Sequence, residues 1–221
     1  MRATLLYISL LVVSCSFGQR EESSKPAVSL MTTPFGIIDI YNGPNVNVGC
    51  EFGLKGKVYN YSSIGYYFSG FGNFSSDSWG NLRGGYFLNE IRYYFKSEQN
   101  VNAQTDYYWG IEAIYGNQSY VRSDTVLTSQ SKNLKIYANK RQFIGLAGNI
   151  GVRWTVAKKI MLSLNLGIGL RYNDVKNKLT LEESESRELG DWTVPTNWIQ
   201  RKGNNLIPKF NLGFKVGFRI N

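Results

Sequence analysis

The feature that most constrains this chain is the period-two pattern of LIPKFNLGFKVGFRIN, residues 206–221. Every second residue from Leu206 to Ile220 is apolar or proline, and the residues between them are basic, polar or glycine apart from Ile207. A strand sends successive side chains to opposite faces, so such a run is a ribbon with one oily face and one polar face. Residues 160–173, IMLSLNLGIGLRYN, split in the same way, with Ile160, Leu162, Leu164, Leu166, Ile168, Leu170 and Tyr172 on the oily side. FIGLAGNIGVRWTV (143–156), YYWGIEAIYG (107–116), GYFLNEIRYYF (85–95) and NVNVGCEFGL (45–54) repeat the pattern. VYNYSSIGYYFSG (58–70) and AVSLMTT (27–33) are less clean members, which brings the expected strand count to eight.

The connections carry a second signal. Lys55-Gly56-Lys57 and Ala157-Lys158-Lys159 read as tight turns, whereas 34–44, 71–84, 123–142 and 174–205 read as longer, mostly polar loops. The segment 96–106, KSEQNVNAQTD, breaks an otherwise regular alternation of short and long. Short turns at one end and long loops at the other characterise outer-membrane barrels. The expected fold class is therefore all-β: an eight-stranded antiparallel up-and-down transmembrane β-barrel over 27–221, with both termini periplasmic.

Alternation alone does not say which face meets oil. A soluble lipid-carrying barrel would turn the apolar face inward, and a membrane barrel would turn it outward. Three features favour the membrane arrangement. The polar face is rich in glycine (Gly145, Gly151, Gly167, Gly169, Gly213, Gly217), which suits a crowded interior better than a solvated surface. The oily face of the best strands is continuous and long enough for a tilted span. Phe95, Trp109, Trp154 and Phe218 fall near one inferred rim and Tyr172 near the other, as an aromatic girdle would. Unpaired strand edges in hydrocarbon leave backbone groups unsatisfied, so a membrane reading implies a closed barrel.

MRATLLYISLLVVSCSFGQ has a basic Arg2, a short apolar run and small residues. This is the pattern of a secretory signal peptide. The expectation is a signal over 1–18, cleaved ahead of Gln19, and a polar lead over 19–26. A second reading takes Val12-Val13-Ser14-Cys15 as a lipobox with Cys15 lipidated.

The chain has a net charge of +9, but its basic residues alternate with apolar ones instead of clustering, so no nucleic-acid partner is expected. Histidine is absent and only two cysteines occur, which removes the commonest catalytic and metal-binding schemes. No enzyme activity, cofactor or metal is expected. Glu51, Glu90, Arg92, Glu112, Arg153, Arg171, Lys209, Lys215 and Arg219 all take the inferred lumen side. They predict an interior charge network, with Lys209, Lys215 and Arg219 directed toward partners such as Glu51.

These strands resemble the small eight-stranded outer-membrane barrels of Gram-negative bacteria, the OmpA-like and OmpX-like superfamily. NVGCEFGL (47–54), NEIRYYF (89–95) and the glycine-rich closing strands look most like an uncharacterised barrel family of Bacteroidota. The final Asn221 departs from the terminal aromatic common in proteobacterial barrels. The resemblance implies an outer-membrane location, membrane lipid as surroundings, assembly machinery as a partner during insertion, and no catalytic residues. The function expected is structural or surface-recognition work, with Trp192, Trp198 and Tyr120 as candidate contacts for an unidentified surface ligand. A narrow conduit, an enzyme using loop carboxylates such as Glu182, Glu183, Glu185, Glu188 and Asp191, and a soluble lipid-binding barrel stay open as alternatives.

Overall fold

The computed structural model describes residues 28–34, 44–69, 80–100, 103–128, 131–180 and 202–220. Eight strands follow one another in chain order: β1 (Val28–Thr32), β2 (Asn45–Lys55), β3 (Val58–Phe68), β4 (Gly80–Asn100), β5 (Ala103–Thr128), β6 (Ser131–Val156), β7 (Ile160–Lys176) and β8 (Gly203–Arg219). Each pairs antiparallel with the next, and β8 returns to β1 through four residue pairs, Ser29–Thr32 with Val216–Arg219, so the sheet closes into a barrel. Closure is completed by backbone bonds such as Ile220 N to the Val28 carbonyl at 2.8 Å. The signal peptide, the polar lead and Cys15 lie outside the described residues.

Register sets the barrel's shape. A path of paired residues runs Leu30, Cys50, Ser62, Asn89, Ala113, Leu146, Leu170 and Pro208. Leu30 is paired on its other side with Phe218, ten residues beyond Pro208. That stagger, with a rise of about 3.3 Å per residue and about 4.8 Å between strands, gives a tilt of about 40° and a radius of about 8 Å. An interior of this size is one that side chains can fill.

The apolar set is outside. Leu212 is 80% exposed and Ile168 64%, whereas Glu90 and Arg92 on the other face are fully buried. This is the inverse of a lipid-carrying barrel, which would keep its oily face around the ligand. Several lumen glycines make room for rings, while Gly167 and Gly213 make room for Asn149 and Asn165. A Cβ on Gly151 would lie 2.4 Å from the Tyr108 ring, and one on Gly116 would lie 2.4 Å from the Phe143 ring. Gly49 and Gly65 make the same room for Tyr61 and Tyr86. Gly151, Gly116, Gly49 and Gly65 each seat an aromatic ring from a neighbouring strand, so the bulk there comes in complementary pairs.

Two connections differ from expectation. The segment 96–106 is mostly strand, because β4 and β5 stay paired as far as Asn100 and Ala103. A bulge between Tyr94 and Lys96 marks where β4 runs past the end of β3, while β5 stays paired with β6 down to Ala103. The connection from β4 to β5 is therefore short, like Lys55–Lys57 and Ala157–Lys159, and all three lie at one end of the barrel together with the start of β1 and the end of β8. The turn after β6 has Ala157 and Lys158 at φ of 51° and 62°. With Lys159 N bonded to the Val156 carbonyl it is a type I′ turn, a geometry that glycine and asparagine adopt at less cost.

The segment 123–142 is likewise mostly strand. Val121 and Lys140 hold the outermost pairings to β4 and β7, and beyond them β5 and β6 pair only with each other up to Thr128 and Ser131. A ribbon therefore projects past the barrel at the end opposite the tight turns. The β4–β5 extension has no alternating apolar face and the ribbon alternates only over Leu134, Ile136 and Ala138, which is why periodicity missed both; backbone pairing in water does not require one. The start of this ribbon is braced by Tyr137, packed on Leu179 just after β7.

Candidate functional site

The lumen holds the chain's densest chemistry. At its turn-side half, Glu51 of β2 stands between two guanidinium groups. Arg92 of β4 donates to Glu51 Oε2 at 2.6 Å, and Arg153 of β6 donates to Glu51 Oε1. Each arginine has a second carboxylate: Glu90 Oε2 lies 2.5 Å from Arg92 Nη2, and Asp106 Oδ2 lies 2.7 Å from Arg153 Nη2. The Tyr94 hydroxyl donates to Glu51 Oε2 at 2.9 Å. Aromatic rings cover the guanidinium planes, with Arg92 at 4.5 Å from the Tyr61 ring centre and 4.8 Å from that of Tyr108. Arg153 is 4.1 Å from the Tyr94 ring centre. Such cation–π contacts strengthen as water is excluded.

A second group continues from the first. Asn149 donates to Glu90 Oε1 at 3.0 Å and to Glu112 Oε2 at 3.1 Å. Glu112 Oε1 accepts from Lys209 Nζ and, at 3.1 Å, from Asn211. Lys215 Nζ donates to Asn165 Oδ1 at 2.8 Å and sits over the Tyr61 ring. Four carboxylates (Glu51, Glu90, Asp106, Glu112) thus share this region with four cations (Arg92, Arg153, Lys209, Lys215), so formal charge balances within this group, while Arg122, Arg141 and Arg171 are further buried cations elsewhere. Balance and hydrogen bonding are what make buried charge tolerable.

Above this region rings share the lumen with further buried polar groups, among them Arg141, Arg171, Asn139 and Asn173. Tyr67, Leu82, Tyr120 and Phe143 form a buried cluster, with Tyr86 and Ile114 packed against it. Arg141 and Arg171 lie 5.3 and 5.4 Å from the Phe143 ring centre.

All nine charged residues expected on the lumen side face it, but their pairing differs from expectation in three places. Glu51 is matched by Arg92 and Arg153, because the closing-strand lysines lie at other levels: Lys209 meets Glu112 and Lys215 meets Asn165. Arg219 is half-buried at the turn-side rim and joins none of these ion pairs. Arg171 belongs to the aromatic group higher up. Sequence reasoning missed Asp106, hidden in a segment read as a loop, and the tyrosines that sheathe the arginines. Their lumen parity was the available signal.

Phe95, Trp109, Trp154, Tyr172 and Phe218 are on the outer face, with Trp109 in a tilted contact with Tyr93 at 5.9 Å between ring centres. Tyr120, a candidate surface contact, is instead 1% exposed inside the lumen, because its parity on β5 matches that of Glu112. Trp192, Trp198 and the loop carboxylates Glu182, Glu183, Glu185, Glu188 and Asp191 lie outside the described residues. Among the described residues no group of three or more His, Cys, Asp or Glu is placed to hold a metal.

No protein-family model matches this chain, and no curated protein sequence does. Among solved structures, a major outer membrane protein from Thermus thermophilus aligns with a TM-score of 0.44 and 11% identity, covering 90% of this chain and 100% of that one. A likeness that distant leaves function to the chain's own residues.

Proposed function

We propose that this chain is an integral outer-membrane barrel of the small eight-stranded kind, with a closed lumen and a non-catalytic role in surface recognition. The carrying observation is the combination of an apolar outer wall with an interior of buried ion pairs and aromatic rings. The wall suits lipid, and an interior of a size that side chains can fill suits a lumen that does not conduct. The NVGCEFGL and NEIRYYF runs carry the further proposal of a Bacteroidota-type family. In this reading the tight turns and termini are periplasmic, and the β5–β6 ribbon projects from the cell.

Recognition is favoured over a purely structural role by the ribbon's outer face. Ile144 ends the apolar band, Gln142 and Lys140 follow, and then Ile136 and Leu134 are 72% and 69% exposed. Apolar side chains beyond a polar interruption, on a ribbon paired only with itself, are placed to meet a partner.

Orientation is tested by cysteine labelling in a Cys50→Ser background. Lys135→Cys is expected to react with a membrane-impermeant maleimide on intact cells, and Lys158→Cys only after the outer membrane is opened. The reverse pattern overturns the orientation. The barrel itself is expected to migrate faster on a gel unheated than boiled, and a chain that stays soluble without detergent would overturn membrane insertion. In planar bilayers the purified protein is expected to give no stable conductance. Steady channel openings would show that the filling yields and that the lumen is a conduit.

A further inference from the structure

The outer wall has one interruption that alternation does not explain. On β3 and β4 the outward positions run Val58, Asn60, Ser62, Ile64 and Phe87, Asn89, Ile91. Asn60, Ser62 and Asn89 are therefore three polar residues inside the apolar band, with apolar neighbours on both sides along each strand. They bond to one another: Asn89 Nδ2 donates to Asn60 Oδ1 at 2.7 Å and to Ser62 Oγ at 2.8 Å, and Ser62 Oγ donates to Asn60 Oδ1 at 3.2 Å. Among the described residues nothing takes up the Asn60 amide N–H groups or the Asn89 carbonyl oxygen. Exchanging oxygen and nitrogen in both amides leaves the same surplus, one amide donor and one carbonyl acceptor. The cluster is flanked in its own row by small side chains, Cys50 on β2 and Ala113 on β5. Larger neighbours such as Ile64 and Ile91 stand around it, and Asn60 and Ser62 are only 6% and 7% exposed. The result is a shallow polar recess in an oily wall.

Polar groups left open to hydrocarbon are costly, and hydrogen bonds between spanning segments are a recognised source of association in membranes, helped by small residues that allow close approach. We propose that this recess is the centre of a homodimer interface, its occupant a second copy of this chain related by a two-fold axis. One donor and one acceptor per copy is self-complementary: each Asn60 amide would donate to the partner copy's Asn89 carbonyl, twice across the axis. An isologous contact has this form, with the same patch serving both sides. Lipid tails offer neither donor nor acceptor, and headgroups belong at the ends of the band.

The inference rests on the membrane reading above, and its test separates the two. Cys50 lies beside the recess and serves as the probe. In native membranes a bis-maleimide is expected to link Cys50 of two copies into a species of twice the monomer mass, absent in Cys50→Ser. Asn60→Leu combined with Asn89→Leu is expected to lower the dimerisation constant in detergent about tenfold, as loss of two hydrogen bonds between the copies implies. Ala113→Phe, which keeps the polar trio but fills the approach beside it, is expected to abolish the crosslink. Each variant is checked for a retained heat-dependent gel shift. A shift with a monomeric wild type overturns the homodimer alone. A crosslink to a different protein overturns the second copy as occupant, and undiminished dimers in both variants overturn the recess as the interface. Loss of the shift in the wild type overturns the membrane barrel itself.

Discussion

Replacing Glu51 with leucine is expected to cost the barrel about 3–5 kcal/mol, the range for removing one partner from a buried charge network. Glu51 is the only described carboxylate shared by two guanidinium groups, and it also accepts the Tyr94 hydroxyl. Without it Arg92 keeps Glu90 and Arg153 keeps Asp106, but two positive charges then face each other across an apolar side chain. Their residual pairing places the effect toward the lower end of the range. The measurement is urea unfolding of the protein in liposomes, followed by the heat-dependent gel shift. A double-mutant cycle with Arg153→Met sharpens it: the double variant is expected to be more stable than the sum of the single losses predicts, because the stranded guanidinium has gone. Wild-type stability in Glu51→Leu would mean that water or loop groups neutralise the arginines.

Leu166→Arg is expected to destabilise the inserted barrel by about 2–4 kcal/mol, the cost of a cation at the hydrocarbon midplane of a β-barrel. Leu166 is the middle outward residue of the run from Ile160 to Tyr172 and is 58% exposed. In water the same change would place a solvated arginine on an open surface and would be close to neutral. Lys176→Arg, beyond the band on the same strand, is the control and is expected to change nothing. Equal, negligible effects in both variants would mean that the apolar wall does not meet lipid. Folding energy thus reports the environment of the wall independently of where the protein is found in the cell.

Much of this architecture was legible without coordinates. Eight alternating runs, two tight turns and a glycine-rich polar face were enough for strand count, barrel closure and the assignment of Glu51, Glu90, Arg92 and Glu112 to the interior. These are local properties: parity along a strand follows from residue spacing alone, and one buried face makes register slips prohibitive. The strand extensions past Phe95 and Ser123 were not legible, because a ribbon in water needs backbone pairing and no apolar period. Asp106 was lost because the polar run 96–106 shows no apolar period, although at Asp106 β5 is wall strand paired with β6 and the carboxylate completes the Arg153 site.

Residue spacing along the chain dictates which side chains share a face. Which of them touch is a property of the closed ring. Arg92 and Arg153 meet at Glu51 from 41 and 102 residues away, whereas Lys215, on the same face, is taken up by Asn165. Those partnerships depend on a stagger of ten residues around the ring, a sum of seven strand registers that only closure at β1 and β8 sets. The same holds for Asn60, Ser62 and Asn89. Along the chain they are lapses in an alternating pattern; on the wall they form one recess, because β3 and β4 pair Ser62 with Asn89.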